Sequence, residues 1–379
     1  MKRVMMDIPK MTTSRFLRLA GGAICLSLAF CAAPRVPKVA PPAFGLPLEE
    51  EARLAFDGEI IGALCRQGLN LYFSTKEGTV YGIDLKERKI LWRFAAKAPA
   101  FVSPGVGEGY IVLADRQNRL YGLNPGGSLL WEIAFDGEIS GDLISRAGRI
   151  YFLAGGTDLV AIDASTGRET WRYKNPEKII GAPVFWGENI VIAKADAKLR
   201  VIQPSAQSGA VIILGTPVAG PLVIDRDWVY AGLEDGTFRC LDLKTGRPIW
   251  KMKIGGLLSA APLLDKMRIY FPASNGVLYG LNKKNGALSW WRSLPARSPF
   301  SPVMGDVQIL AASRSPLLAA FEKTSGKAAG TYDAGEEIAA GPLRFEERLI
   351  IGTFNPTTAK GSLIFLKSRK TGESEPKKK

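Results

Sequence analysis

The sequence predicts an all-β protein, an eight-bladed β-propeller of four-stranded antiparallel blades, and three observations carry that prediction. Tryptophans stand at Trp92, Trp131, Trp171, Trp250 and Trp290, at intervals of 39, 40, 79 and 40 residues, so one period recurs with a single omission. A small residue followed by proline keeps the same frame, as Ser103-Pro104, Ala182-Pro183, Gly220-Pro221, Ala261-Pro262, Ser301-Pro302 and Gly341-Pro342. Between these markers, short runs rich in β-branched and aromatic residues alternate with Asn-Gly, Asp-Gly and Thr-Gly turns. A four-stranded unit of that length cannot bury its own faces, and stacking such units around a ring does. Composition agrees: 41 glycines and 24 prolines in 379 residues mark many turns, and 46% hydrophobic residues can fill a core.

In chain order, residues 1–31 read as an export signal. Lys2, Arg3, Lys10, Arg15 and Arg18 precede the apolar run LAGGAICLSLAF (Leu19–Phe30), which is too short to span a bilayer as a mature helix. Cys31 follows, then a Pro-rich stretch over residues 32–49 that reads as an extended tether. This order resembles the start of a bacterial lipoprotein and makes Cys31 the expected lipidation site. Phe30 stands where such signals carry a small residue, so cleavage near Ala33 and an uncleaved anchor remain as alternatives.

The propeller is expected over residues 50–372. The string FDGEI occurs at Phe56–Ile60 and again at Phe135–Ile139, 79 residues apart, and the residues after each copy run parallel. Each copy is expected at the corner between one blade's outer strand and the next blade's inner strand. Third strands are expected near Tyr81, Tyr121, Val160, Val201, Phe238, Tyr279, Ala319 and Ile364, which makes eight repeats. The fourth is read with Ile213, and the seventh with Gly330, in place of tryptophan; each change removes a ring that buries about 200 Å². The eighth repeat stops after SLIFLKS (Ser362–Ser368) without an outer strand. EARLAF (Glu51–Phe56) has no blade of its own, so it is expected to complete the last blade and close the ring, removing an exposed edge. Residues 373–379 form a basic tail.

The net charge of +14 is concentrated at the ends. No basic stripe with interleaved aromatics runs through the middle, so no nucleic-acid partner is expected. Histidine is absent, which removes the commonest general base and metal ligand. Asp84, Asp163 and Asp242 recur at intervals of 79 just before a turn, where capping of that turn explains them. Cys65 and Cys240 fall in the first and fifth blades, too far apart around a ring for a disulfide. No catalytic, cofactor-binding or metal-binding residue is assigned.

The repeat is well represented by EDGTFRCLDLKTGRPIW (Glu234–Trp250), NGVLYGLNKKNGALSW (Asn275–Trp290), DLVAIDASTGRETW (Asp158–Trp171) and EGTVYGIDLKERKILW (Glu77–Trp92). It resembles the pyrroloquinoline-quinone-type propeller repeat, a family that holds both enzymes and scaffolds. An exported eight-bladed member on a short tether is similar to the BamB-like outer-membrane assembly lipoproteins. That resemblance implies a non-catalytic scaffold without a cofactor, lipid-anchored at the periplasmic face of the outer membrane, with a BamA-type barrel protein as partner. It also implies two partner-binding loops: Asn175, Pro176, Glu177, Lys178, Ile179 and Ile180, then Thr216, Pro217, Val218 and Ala219. The second loop lacks the acidic residue that the family carries there. Two other readings stand beside this one. The first is a quinone- and Ca²⁺-dependent dehydrogenase, which would need a cluster of carboxylates and amides, an aspartate base and usually adjacent cysteines; the second is a periplasmic propeller that binds a small ligand in its channel.

Overall fold

The computed structural model describes residues 44–206 and 209–369. The export signal, Cys31 and the basic tail lie outside the described residues. Each period folds as a meander of four antiparallel strands. Blade 6 is typical, with Leu263–Leu264, Arg268–Pro272, Val277–Asn282 and Leu288–Ser293 running from inside to outside. Its second and third strands, RIYFP and VLYGLN, read as nearly continuous apolar runs because both their faces pack against neighbouring blades. The outer strand LSWWRS buries little beyond Trp290. Eight such sheets form, and the inner strand of blade 1 (Ile60–Gln67) meets that of blade 8 (Glu337–Phe345), so the ring is closed.

Closure uses the N-terminal strand. Leu48–Asp57 pairs antiparallel with Lys360–Ser368 as the outer strand of blade 8, from Leu48 opposite Ser368 to Asp57 opposite Lys360. It begins two residues inside the stretch expected as tether, and Phe44 is already fully buried, with the Arg344 guanidinium 4.4 Å from its ring centroid. Glu51 on this strand holds Arg348 of blade 8 at 2.6 Å and Arg88 of blade 1 at 2.7 Å. The Arg348 hydrogen bond, reinforced by Arg88 against the opposing effect of burial, lowers the Glu51 carboxyl to about 2.

The tryptophan period has a specific cause. Each indole Nε1 donates to a carbonyl in the outer turn of the next blade: Trp92 to Pro125 (2.8 Å), Trp131 to Ala164 (3.0 Å), Trp171 to Pro204 (3.1 Å), Trp250 to Lys283 (3.0 Å) and Trp290 to Lys323 (3.0 Å). Four of the rings, those of Trp92, Trp131, Trp250 and Trp290, lie on the turn glycines of those blades. A Cβ on Gly127, Gly286 or Gly326 would come within 2.4–2.5 Å of the indole, and each of these glycines has positive φ. Tryptophan and glycine therefore recur together because one stands on the other across these four junctions.

Blade 4 corrects one expectation. Trp171 pairs with Ala161 in blade 3, whereas in blade 4 Ile213 pairs with Lys198 and Ile212 with Leu199. The tryptophan position therefore falls on Ala210, whose carbonyl accepts the N–H of Val201 at 2.9 Å. Ile213 points outward and is 76% exposed, while Ile212, at 4%, fills part of the space above Gly246. In blade 7, Gly330 does stand opposite Ala320, as expected. Both FDGEI copies form blade-to-blade corners, and Phe56 and Phe135 pack on Phe73 and Phe152 with centroids 4.7 and 5.0 Å apart.

Candidate partner-binding face

An antiparallel meander sends its turns alternately to two faces of the ring. One face collects the turns between inner and second strands and between third and outer strands. The opposite face collects the second-to-third turns and the corners between blades, and both candidate loops lie there. Asn175–Ile180 connects the outer strand of blade 3 (Glu169–Tyr173) to the inner strand of blade 4 (Ile179–Trp186). Thr216–Ala219 connects the outer strand of blade 4 (Val211–Ile213) to the inner strand of blade 5 (Val223–Asp225). The second-to-third turn of blade 4 joins them, since Ala195 N–H donates to Lys178 O and Leu214 N–H donates to Ala197 O, both at 2.9 Å.

The ten residues have different duties. Asn175, Ile179 and Val218 are buried, and Val218 forms a β-bridge with Leu233, so these hold the loops in place. Asp158 accepts the backbone N–H of Asn175 at 3.3 Å, and Arg172 fixes Asp158 at 3.2 Å. Ile180 packs beneath the face, and Thr216, Pro217 and Ala219 are half-buried. Pro176 and Lys178 are exposed. Glu177 pairs with Lys194 at 2.5 Å, which also lies 3.7 Å from Asp196. The Lys198 side chain, bonded to Asp196 at 2.7 Å, holds that carboxyl below the usual range. The first loop is thus a rigid platform of paired charges with Lys178 free at its edge.

Two acids from another segment lie beside TPVA. Glu234 N–H donates to Pro217 O at 3.0 Å, which places the blade 5 turn Glu234-Asp235 beside the second loop. Glu234 is exposed. Asp235 bonds Arg239 at 2.8 Å, and Arg239 donates to Leu214 O at 2.8 Å, tying turn and loop together. Sequence reasoning missed these two acids. Their position within EDGT was visible, but only the blade-to-blade register shows which loop they adjoin.

The side chains suited to chemistry are occupied or isolated. Asp84, Asp163 and Asp242 accept the backbone N–H groups of their own turns, Glu87 at 2.7 Å, Ser165 at 2.9 Å and Thr245 at 2.8 Å among them. A quinone with Ca²⁺ needs several converging oxygen donors. Among the described residues no group of three or more His, Cys, Asp or Glu is placed to hold a metal, and Asp142 is the single carboxylate at the small-residue positions of the inner strands. The residues present do not fit that cofactor. Desolvation by surrounding protein raises the carboxyl of the solvent-exposed Asp142, and burial pushes the unpaired thiols of Cys65 and Cys240 up to about 12.

Comparison with known proteins places this geometry in a family. The family model described as outer membrane protein assembly factor BamB matches residues 76–214 and 213–333. A curated relative of that name from Moranella endobia is 23% identical over 76% of this chain and 82% of its own length. The one from Yersinia pestis is 25% identical over 64% of this chain, and the match spans only 56% of that relative. Among solved structures, BamB from Moraxella catarrhalis superposes with a TM-score of 0.70 at 14% identity, covering 86% of this chain and 99% of that one. Quinohemoprotein alcohol dehydrogenase from Comamonas testosteroni, at 0.67 and 11% identity over 86% of this chain and 78% of that one, shares the fold alone. The family match covers more than half of the chain and both candidate loops, and on that ground the chain belongs to the outer membrane protein assembly factor BamB family.

Proposed function

We propose that the chain is a non-catalytic, exported scaffold, lipid-anchored through Cys31 at the periplasmic face of the outer membrane, that supports assembly of β-barrel proteins by holding a BamA-type barrel protein. The observation that carries the reading is the family match, which runs through both candidate loops and the turn between them. The geometry supports it: the platform offers Pro176, Lys178 and Glu234 at its surface, and the backbones of Lys178 and Glu234 are fixed by hydrogen bonds to Ala195 and Pro217. Preorganised surfaces of this kind bind without a large ordering cost.

A pull-down of tagged protein from membrane fractions tests it. The wild-type chain should recover a BamA-type barrel protein, and Lys178→Glu combined with Glu234→Lys should abolish recovery while leaving the melting temperature unchanged. Arg168→Glu on the opposite face should bind as wild type does. Absence of any barrel protein from the wild-type eluate would overturn the proposal.

A further inference from the structure

The face opposite the candidate loops carries a second pattern. In every blade one turn residue immediately precedes the second strand. Its carbonyl often serves the fold, and Leu69 O, Gly148 O, Asp227 O, Met267 O and Val307 O each accept an N–H from the third-to-outer turn of the same blade. Only the backbone is needed for that bond, since Gly148 and Asp227 serve as well as the others. In blades 2, 3, 4, 5 and 8 the residue is Gly109, Gly148, Glu188, Asp227 and Glu347. In blades 6, 7 and 1 it is Met267, Val307 and Leu69, which are 65%, 58% and 53% exposed. Scattered exposed apolar residues are ordinary. Three at one equivalent position, confined to one arc of the ring and unused by the fold, are a pattern.

Cations surround them. Lys266 and Lys284 flank Met267, Lys327 lies on the outer turn of blade 7, and in blade 1 Arg66 is near the end of the inner strand, Lys86 on the third-to-outer turn and Lys89 at the start of the outer strand. All six are exposed, and none forms an ion pair among the described residues. Exposed acids on the arc are fewer, Glu87, Asp306, Glu346 and Glu347 among them; Asp306 pairs with Arg344 at 3.0 Å, and Glu346 and Glu347 lie 4.0 and 3.9 Å from Arg348 and Arg344. Both described ends of the chain are on this arc. Phe44 N–H donates to Asp306 Oδ2 of the blade 7 turn at 2.7 Å, and Arg369 N–H donates to Pro47 O at 2.9 Å. The sequence before Phe44 contains the apolar run Leu19–Phe30.

We infer that this arc of blades 6, 7, 8 and 1 is a membrane-contact surface that lies against anionic phospholipid headgroups. Met267, Val307 and Leu69 enter the interface, and Lys266, Lys284, Lys327, Arg66, Lys86 and Lys89 pair with lipid phosphates. Apolar tips ringed by cations are the composition that binds such an interface, each basic residue adding about a fivefold gain in partitioning. This surface is distinct from the candidate partner face and does not depend on it.

The test is cosedimentation of the full chain with vesicles of phosphatidylcholine, with or without phosphatidylglycerol, at low and high salt. The run Leu19–Phe30 can hold the chain on either vesicle, so the readout is the increment that phosphatidylglycerol adds. Wild type should show an increment that salt abolishes. Lys266→Glu with Lys284→Glu should reduce it at least about tenfold, and Met267→Glu with Val307→Glu should reduce it as well. Lys174→Glu with Lys178→Glu, on the opposite face, should leave it intact, and all variants should melt as wild type does. An increment absent from wild type, or undiminished in the blade 6 and 7 variants, overturns the inference. Loss of the barrel protein in a pull-down with the lipid increment intact would count against the proposed function alone.

Discussion

The two FDGEI corners provide an internal control for ring closure. Phe56 and Phe135 occupy the same local site, each packing on a phenylalanine of the following blade, at 4.7 and 5.0 Å. They differ in what they secure. Phe135 ends a strand already in its own blade by sequence, whereas Phe56 ends the strand that joins blade 8 to the rest of the ring. Phe56 is buried and also contacts Tyr81, at 5.5 Å, while Phe135 is half-buried. Phe56→Ala should therefore cost about 3–5 kcal/mol and Phe135→Ala about 2 kcal/mol. A domain of about 320 residues has an unfolding entropy of roughly 0.7 kcal/mol/K, so the melting temperatures should fall by about 4–7 °C and about 3 °C. The sharper readout is hydrogen exchange. Phe56→Ala should lower protection across Leu48–Asp57 and Lys360–Ser368, the two sides of the seam, and Phe135→Ala should leave both segments unchanged. Equal melting shifts with an unperturbed seam in both variants would refute the closure argument.

Other perturbations follow from the same contacts. Glu51 is lowered to about 2 by its Arg348 hydrogen bond, so its contribution is complete above its ordinary value near 4.5 and is lost as pH falls from there through 2. Wild type should thus exceed Glu51→Gln by up to about 3 kcal/mol at neutral pH, with the gap shrinking in acid; a gap independent of pH would exclude this ion pair as its source. Gly326→Ala places a Cβ 2.5 Å from the Trp290 ring as well as at positive φ, whereas Gly68→Ala meets open space at φ 59°. Urea unfolding should show about 1 kcal/mol lost at Gly68 and about 1–3 kcal/mol more at Gly326, and equal losses would deny that the indole stands on the glycine. Cys65 and Cys240, pushed to about 12 by burial, should resist iodoacetamide at mildly alkaline pH until the protein unfolds; rapid labelling of the folded chain would contradict their placement.

Much of the architecture was legible because the blade junction imposes two residue types at once. Trp290 needs Gly326 beneath it, and Trp92 needs Gly127, so the period is written twice in the sequence. The closing strand was legible by subtraction, since EARLAF had no blade and the eighth blade had no outer strand. What failed was register where the aromatic is lost. With Ala210 at the tryptophan position, nothing in a short apolar run distinguishes Ile212 from Ile213, and a one-residue slip exchanges the buried and exposed faces. Only the pairing of Leu199 with Ile212 settles it.

The candidate face was less legible for a physical reason. A propeller's core residues answer to the blade that contains them, so their spacing is periodic, whereas a surface is assembled from turns that belong to different blades. Glu234 and Pro217 are adjacent because the blade 5 turn folds back on the corner that precedes it, and no periodic signal marks that meeting. The lipid-facing arc was hidden differently. Leu69, Met267 and Val307 each read as a single apolar residue in a turn, and they become a set only when aligned by blade position. Aligning turns rather than strands is therefore the step by which surface function becomes readable in this fold. The core has already fixed the backbone at those positions, and any side-chain preference left over needs an explanation outside the fold.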